Sequence, residues 1–256
     1  MLKRTSILIY GVVCYAAFFA TFLYAVGFLG NLVVPKSIDS PAEGSFLYAL
    51  TVDLLLLGLF AVQHSVMARP WFKRGWTKMV PAAAERSTYV LFSSVALILL
   101  FAFWQPLGGV IWNIESSVGQ MTMYSIFALG FGLVLISTFL INHFDLFGLR
   151  QVWLHFRKQP YTQLEFRTPL FYKYVRHPLY VGWFLAFWAT PTMTATHLLF
   201  AIMTSAYILM AIRWEERDLL LAHGDHYRRY RQAVPMLVPA YTRTPALPKR
   251  ATEDVA

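Results

Sequence analysis

Two stretches of this chain hold side chains able to bind and move charge, and both stand at the edge of an apolar run. The first is Tyr172-Lys173-Tyr174-Val175-Arg176-His177-Pro178-Leu179-Tyr180-Val181-Gly182-Trp183. Proline suits the first turn of a helix, where its missing N–H costs nothing. Arg176 and His177 are therefore expected at the positive mouth of a helix, beside unpaired N–H groups able to hold a carboxylate. From Tyr180, positions i+3, i+4 and i+7 are Trp183, Phe184 and Phe187, one aromatic face. The second stretch is Arg213-Trp214-Glu215-Glu216-Arg217, then His223-Gly224-Asp225-His226-Tyr227-Arg228-Arg229-Tyr230 and Val234-Pro235. Two adjacent carboxylates at the end of an apolar helix are costly unless they pair or bind something. Arg213 and Glu216 have the i, i+3 spacing of an ordinary surface pair. Gly224 is expected to break the helix and Tyr227 and Tyr230 to share a face of the next turn. Each stretch also fits a plainer role, the first as a capped helix with a lipid-facing stripe, the second as a tail on the membrane surface.

The elements that must position these residues are membrane spans. The 256 residues are 57% hydrophobic and 14% charged, too apolar for the surface of a soluble domain of this size. A spanning helix needs about 20 mostly apolar residues. Runs 6–32, 46–66, 88–110 and 121–142 each meet that need. The first is too long for a cleavable signal segment and reads as a retained span. The block 178–212 is divided by Pro191 and the polar patch Thr192–Thr196, which predicts a helical hairpin near 178–190 and 196–212. The reading is an all-α polytopic membrane protein, one domain over 1–256. It has a four-span region, 6–142, and a region 143–240 that carries the hairpin, five or six membrane segments in all.

Charge then orients the chain. With an even number of crossings in 178–212, 21 of the 22 basic residues lie on one side and only Lys36 on the other. The positive-inside rule makes that side cytoplasmic, with both termini there. Net charge +9 suits anionic lipid headgroups, and no nucleic-acid recognition motif accompanies it. The single cysteine, Cys14, lies in an apolar run, so neither a disulfide framework nor a thiolate metal site is expected. Asp53, inside span two, reads as a structural hydrogen-bonding group between helices.

Taken together, the two stretches resemble the membrane methyltransferases of the isoprenylcysteine carboxyl methyltransferase superfamily. The shared pattern is Arg-His-Pro-x-Tyr-x-Gly, a helical hairpin, Glu-Glu, Gly-x-x-Tyr-x-x-Tyr and Val-Pro, over roughly residues 172–238. The resemblance implies that this region binds S-adenosylmethionine. Tyr172, Arg176, His177, Tyr180 and Gly182 would line the pocket, and Glu216, His226, Tyr227 and Tyr230 would close it. The chain departs from the pattern in having His223-Gly224 where the family usually has Phe-Gly. Upstream, Phe60-Ala61-Val62-Gln63-His64-Ser65-Val66-Met67-Ala68-Arg69-Pro70 and His143-Phe144-Asp145-Leu146-Phe147-Gly148-Leu149-Arg150-Gln151-Val152-Trp153 resemble the nurim branch. That branch implies methyl transfer to a small thiol, by an integral protein of a bacterial inner membrane with its active site at the cytoplasmic face.

Such a transfer is a direct displacement at the methyl carbon, and its nucleophile is a thiolate. A simple thiol needs a base or a positive field. His64, then His143, then Asp145 are the expected catalytic groups, while Arg150 or Arg176 offers the positive field. Three alternatives stay open. One is carboxyl methylation of a prenylated cysteine, and another a non-enzymatic nurim-like membrane protein. The third is a b-type haem subunit with histidines from spans two and four.

Overall fold

The computed structural model describes residues 1–239, so Arg243, Lys249 and Arg250 of the basic tail and residue 240 lie outside the described residues. Among the described residues, five helices are long and apolar enough to cross a membrane, as backbone polar groups in lipid require. They are α1 (Leu2–Gly30), α2 (Phe46–Ala68), α4 (Glu85–Phe103), α5 (Ser117–Ile141) and α9 (Ala195–Ala233). Short helices α3 (Pro70–Trp76), α6 (His143–Leu146) and α7 (Leu149–Phe156) occupy the basic loops, and α8 (Pro178–Trp188) precedes α9. Side-chain caps start three of the spans: Ser45 accepts from the Tyr48 N–H, Ser116 from Gly119 and Thr194 from His197. The spans close a ring in the order α2, α4, α1, α5, α8, α9, with α9 returning to α2. The main core cluster contains Phe28, Phe101, Trp104, Phe127, Phe131, Phe187 and Phe200.

The third and fifth runs end differently from expectation. Residues 104–110 are not helical, because Pro106 cannot continue the ladder and Gly108 and Gly109 take positive φ. Buried Asp53 accepts the freed N–H of Gln105 at 2.8 Å, the inter-helix role expected of it. Helix α8 has 11 residues, a rise of about 16 Å against a hydrocarbon core of about 30 Å. Residues 189–191 after it are not helical. Strand β2 (Thr192–Thr194) pairs antiparallel with β1 (Val110–Asn113), a short ribbon that the all-helical reading did not include. Helix α9 is far longer than 196–212 and carries Glu215 and Glu216 before it breaks at Gly224 (φ 52°, ψ −126°).

The short helix survives because its loose end is bonded. His197, buried in α9, faces the Phe187 carbonyl with Nε2 at 3.0 Å and Asp39 Oδ2 with Nδ1 at 3.3 Å. His197 thus ties the end of α8 and the Asp39 loop to α9. Thr194 and Asn31 also donate to Asp39. Burial alone would raise the Asp39 pKa, but the bonds from His197, Thr194 and Asn31 outweigh it and hold the carboxyl below its ordinary value. An acid lowered in this way stabilises the fold fully above about pH 3.9, and the contribution fades as pH falls through the folded value. Asp39→Asn should therefore cost about 1–3 kcal/mol at pH 7, because it removes a buried carboxylate that Asn31, Thr194 and His197 converge on. It should also flatten the acid-side fall of the melting temperature, as read by thermal unfolding in detergent between pH 7 and 3.

Candidate active site

The Arg-His-Pro turn and the Glu-Glu pair meet at one edge of the ring. Arg176 Nε donates to Glu216 Oε1 at 2.7 Å, and His177 Nε2 lies 3.2 Å from the same oxygen. The Arg176 and Glu216 side chains are only 11% and 12% exposed, so this pair is largely withdrawn from water. Tyr180, one turn into α8, donates to Glu215 Oε2 at 2.9 Å. Arg213 is exposed and forms no pair with Glu216, because Arg176 holds that carboxylate instead. The N–H groups at the helix mouth are not free either: Arg176 donates to the Pro235 carbonyl and His177 to that of Met236. The carboxylate at this mouth is the chain's own. Arg176 Nη1 donates to the carbonyls of Arg231 and Val234, which leaves the two N–H groups of Nη2 uncommitted.

The helix after Gly224 folds back over this turn. Tyr230 donates to the Tyr172 carbonyl at 2.6 Å, and Tyr227, Tyr230 and Val234 are buried together. Burial pushes the Tyr172 phenol pKa up, so it stays protonated. Phe166 packs its ring against His223, His226, Tyr227 and Tyr230, with centroids 5.1 to 5.7 Å apart. His223 stands where the family pattern has phenylalanine, and Phe166 supplies such a ring from the loop before η-turn Leu170–Lys173. His226 is exposed apart from that contact. The Tyr227 hydroxyl is buried without a hydrogen-bond partner. Gly182 has a packing reason: a Cβ there would sit 2.7 Å from the Gly130 carbonyl oxygen and 2.8 Å from the Val134 nitrogen. Its absence lets α8 lie directly on α5.

Of the expected catalytic groups, His143 and Asp145 are not brought together. His143 is sealed in aromatic rings, stacked on Phe139 at 4.2 Å. Thr138 gives its proton to the Leu135 carbonyl and so accepts from His143 Nδ1 at 2.8 Å, leaving Nε2 to accept from Tyr15 at 2.8 Å. Burial lowers the His143 pKa. Asp145 instead binds Arg150 at 2.8 Å and accepts from Tyr161 at 3.3 Å. Arg150 is further consumed by Thr162, so it has little left to offer a thiolate.

His64 has a similar bonding pattern in a more open setting. Ser93 donates to the Tyr89 carbonyl, so its oxygen accepts from His64 Nδ1 at 3.2 Å. The Tyr89 hydroxyl lies across the ring edge, 2.9 Å from Nε2 and 3.0 Å from Nδ1. His64 is only partly covered. Tyr207 is tied to Ser65 at 2.9 Å. Sequence alone gave no reason to select Tyr89, Tyr207 or Phe166.

No family model matches the chain, and no solved structure matches it. It is 60% identical over 238 residues to "Methanethiol S-methyltransferase" of Crocosphaera subtropica, 93% of each chain. The protein of that name from Mycobacterium tuberculosis is 53% identical, covering 93% of this chain and 98% of the relative. Nurim of Rattus norvegicus is more distant, 29% identical over 195 residues, covering 73% and 74%.

Proposed function

The chain belongs to the family of methanethiol S-methyltransferases, and on that premise we propose that it methylates methanethiol to dimethyl sulfide with S-adenosylmethionine as donor. The observation that carries the reading is the largely buried Arg176–Glu216–His177 network beside the more exposed Tyr180–Glu215 pair. Its groups fit the donor's chemistry. The uncommitted Arg176 Nη2 suits a carboxylate, Glu215 suits a cation, and the unpartnered Tyr227 hydroxyl with the Phe166 ring suits a polar aromatic base. When bound, the donor supplies an electrophilic methyl carbon. Tyr172, Arg176, His177, Tyr180, Glu216, Tyr227 and Tyr230 form its walls and exclude water, His226 stands at the rim, and Gly182 sets the closeness of α8 to α5. His64, through Tyr89, takes the thiol proton. His143 and Asp145 brace the α5–α7 corner.

The site faces the cytoplasm of a bacterial inner membrane and both termini lie on that side, a placement supported by the segregation of basic residues. Membranes containing the chain, given S-adenosylmethionine and methanethiol, should release dimethyl sulfide into the headspace. Release no greater than from vector-control membranes would refute the reading.

A further inference from the structure

Two cations at the basic edge have no carboxylate partner. Lys73 and Arg86 line a cleft of about 380 Å³ with Glu85, Gln151, His155 and Tyr161, and neither forms an ion pair among the described residues. Gln151 Oε1 is buried there without a hydrogen-bond partner. The Arg86 guanidinium carbon lies 5.7 Å from the Tyr89 ring centroid, and the Tyr89 and His64 centroids are 5.1 Å apart. The phenol therefore bridges the cleft and the imidazole. An unpaired guanidinium at a membrane edge, against the hydroxyl-bearing ring that bonds a histidine, is a positive field aimed at the candidate catalytic group.

We propose that this cleft admits the thiol from the aqueous side and that Arg86 holds its sulfur ionised beside Tyr89 and His64. The assignment rests on reading the chain as a thiol methyltransferase. Arg150 and Arg176 are spent on Asp145 and Glu216, which leaves Arg86 as the arginine beside His64 without a carboxylate. In the step, the S–H bond breaks with its electron pair kept on sulfur. The proton passes by the Tyr89 hydroxyl to His64 Nε2. It does not stay there, because the neighbouring guanidinium disfavours an imidazolium, and water receives it. The sulfur pair then forms the S–CH₃ bond as the donor's carbon–sulfonium bond breaks, its pair going to the leaving thioether. The charged and titratable groups facing Arg86 are Glu85 beside it, Lys73 from α3, His155 from α7 and Tyr161. Arg69 is neutralised by Asp218 at 3.1 Å.

The test is the pH dependence of dimethyl sulfide formation by the full chain in proteoliposomes, for wild type, Arg86→Met, Arg86→Lys and Lys73→Met. Arg86→Met should lose about tenfold in rate at pH 7, with its acid limb about one pH unit higher. Its rate should recover where the thiol ionises unaided, and Arg86→Lys should restore most of the loss. Lys73→Met should raise the thiol KM and leave the donor KM unchanged. A loss equal at every pH, or an Arg86→Met profile like wild type, would overturn the assignment. If Arg86→Met does not fold, the other two variants decide: an unchanged thiol KM in Lys73→Met rejects the entrance. A wild-type chain that makes no dimethyl sulfide at any pH removes the parent reading, and this one with it.

Discussion

Glu216→Gln is expected to lower kcat/KM for methyl transfer by about 100-fold or more, the largest effect of any single substitution at this site. Glutamine keeps the shape of the side chain and removes its charge. Glu216 Oε1 takes hydrogen bonds from both Arg176 and His177, and Oε2 lies 3.8 Å from Arg231. Losing one member of a buried pair costs about 3–5 kcal/mol, chiefly because the remaining charge has no partner. About 2.8 kcal/mol is already 100-fold in an equilibrium constant. The loss should fall on donor affinity as well as on stability, since Arg176 would swing toward another acceptor and take the α8 mouth with it. The double substitution Arg176→Met with Glu216→Leu separates the two effects. Removing both charges should return much of the melting temperature lost by Glu216→Gln, while S-adenosylmethionine binding by calorimetry stays lost. Donor affinity that survives Glu216→Gln would place the donor elsewhere.

The meeting of Arg176, His177 and Glu216 was implied by the family resemblance, whereas the residues by themselves said only that such charges need partners. A charge at the end of an apolar run must find a partner or stay at the interface. What was illegible is which partner: Arg213, three residues away on the same helix, was the local choice, and Arg176, 40 residues away, holds the carboxylate. The same holds for the helix mouth, whose N–H groups looked open until residues 235 and 236 returned to occupy them. Spans were legible to within a few residues wherever an apolar run had no interruption. The run 88–110 misled because Pro106, Gly108 and Gly109 are nearly invisible to hydropathy yet decide the backbone. The β1–β2 ribbon depends on residues about 80 positions apart, and no local pattern announces such a pairing.

His64→Gln is expected to reduce kcat at pH 7 by about 100-fold while leaving the donor KM within a factor of two, the loss usual for a missing proton-transfer group. Glutamine can still donate to Ser93, so the α2–α4 contact is kept, but it cannot accept a proton at neutral pH. Tyr89→Phe should give a smaller fall, because water can bridge from the thiol to Nε2 once the hydroxyl is gone. His143→Gln is the control for position. That ring also has a tyrosine and a small hydroxyl as partners, yet aromatic rings seal it. Its loss should lower the melting temperature and spare kcat per folded molecule. The two histidines thus differ in access and in neighbouring charge, and those differences predict which one reaches the sulfur. If both substitutions lower kcat equally, or His64→Gln spares it, proton transfer at this site does not run through His64.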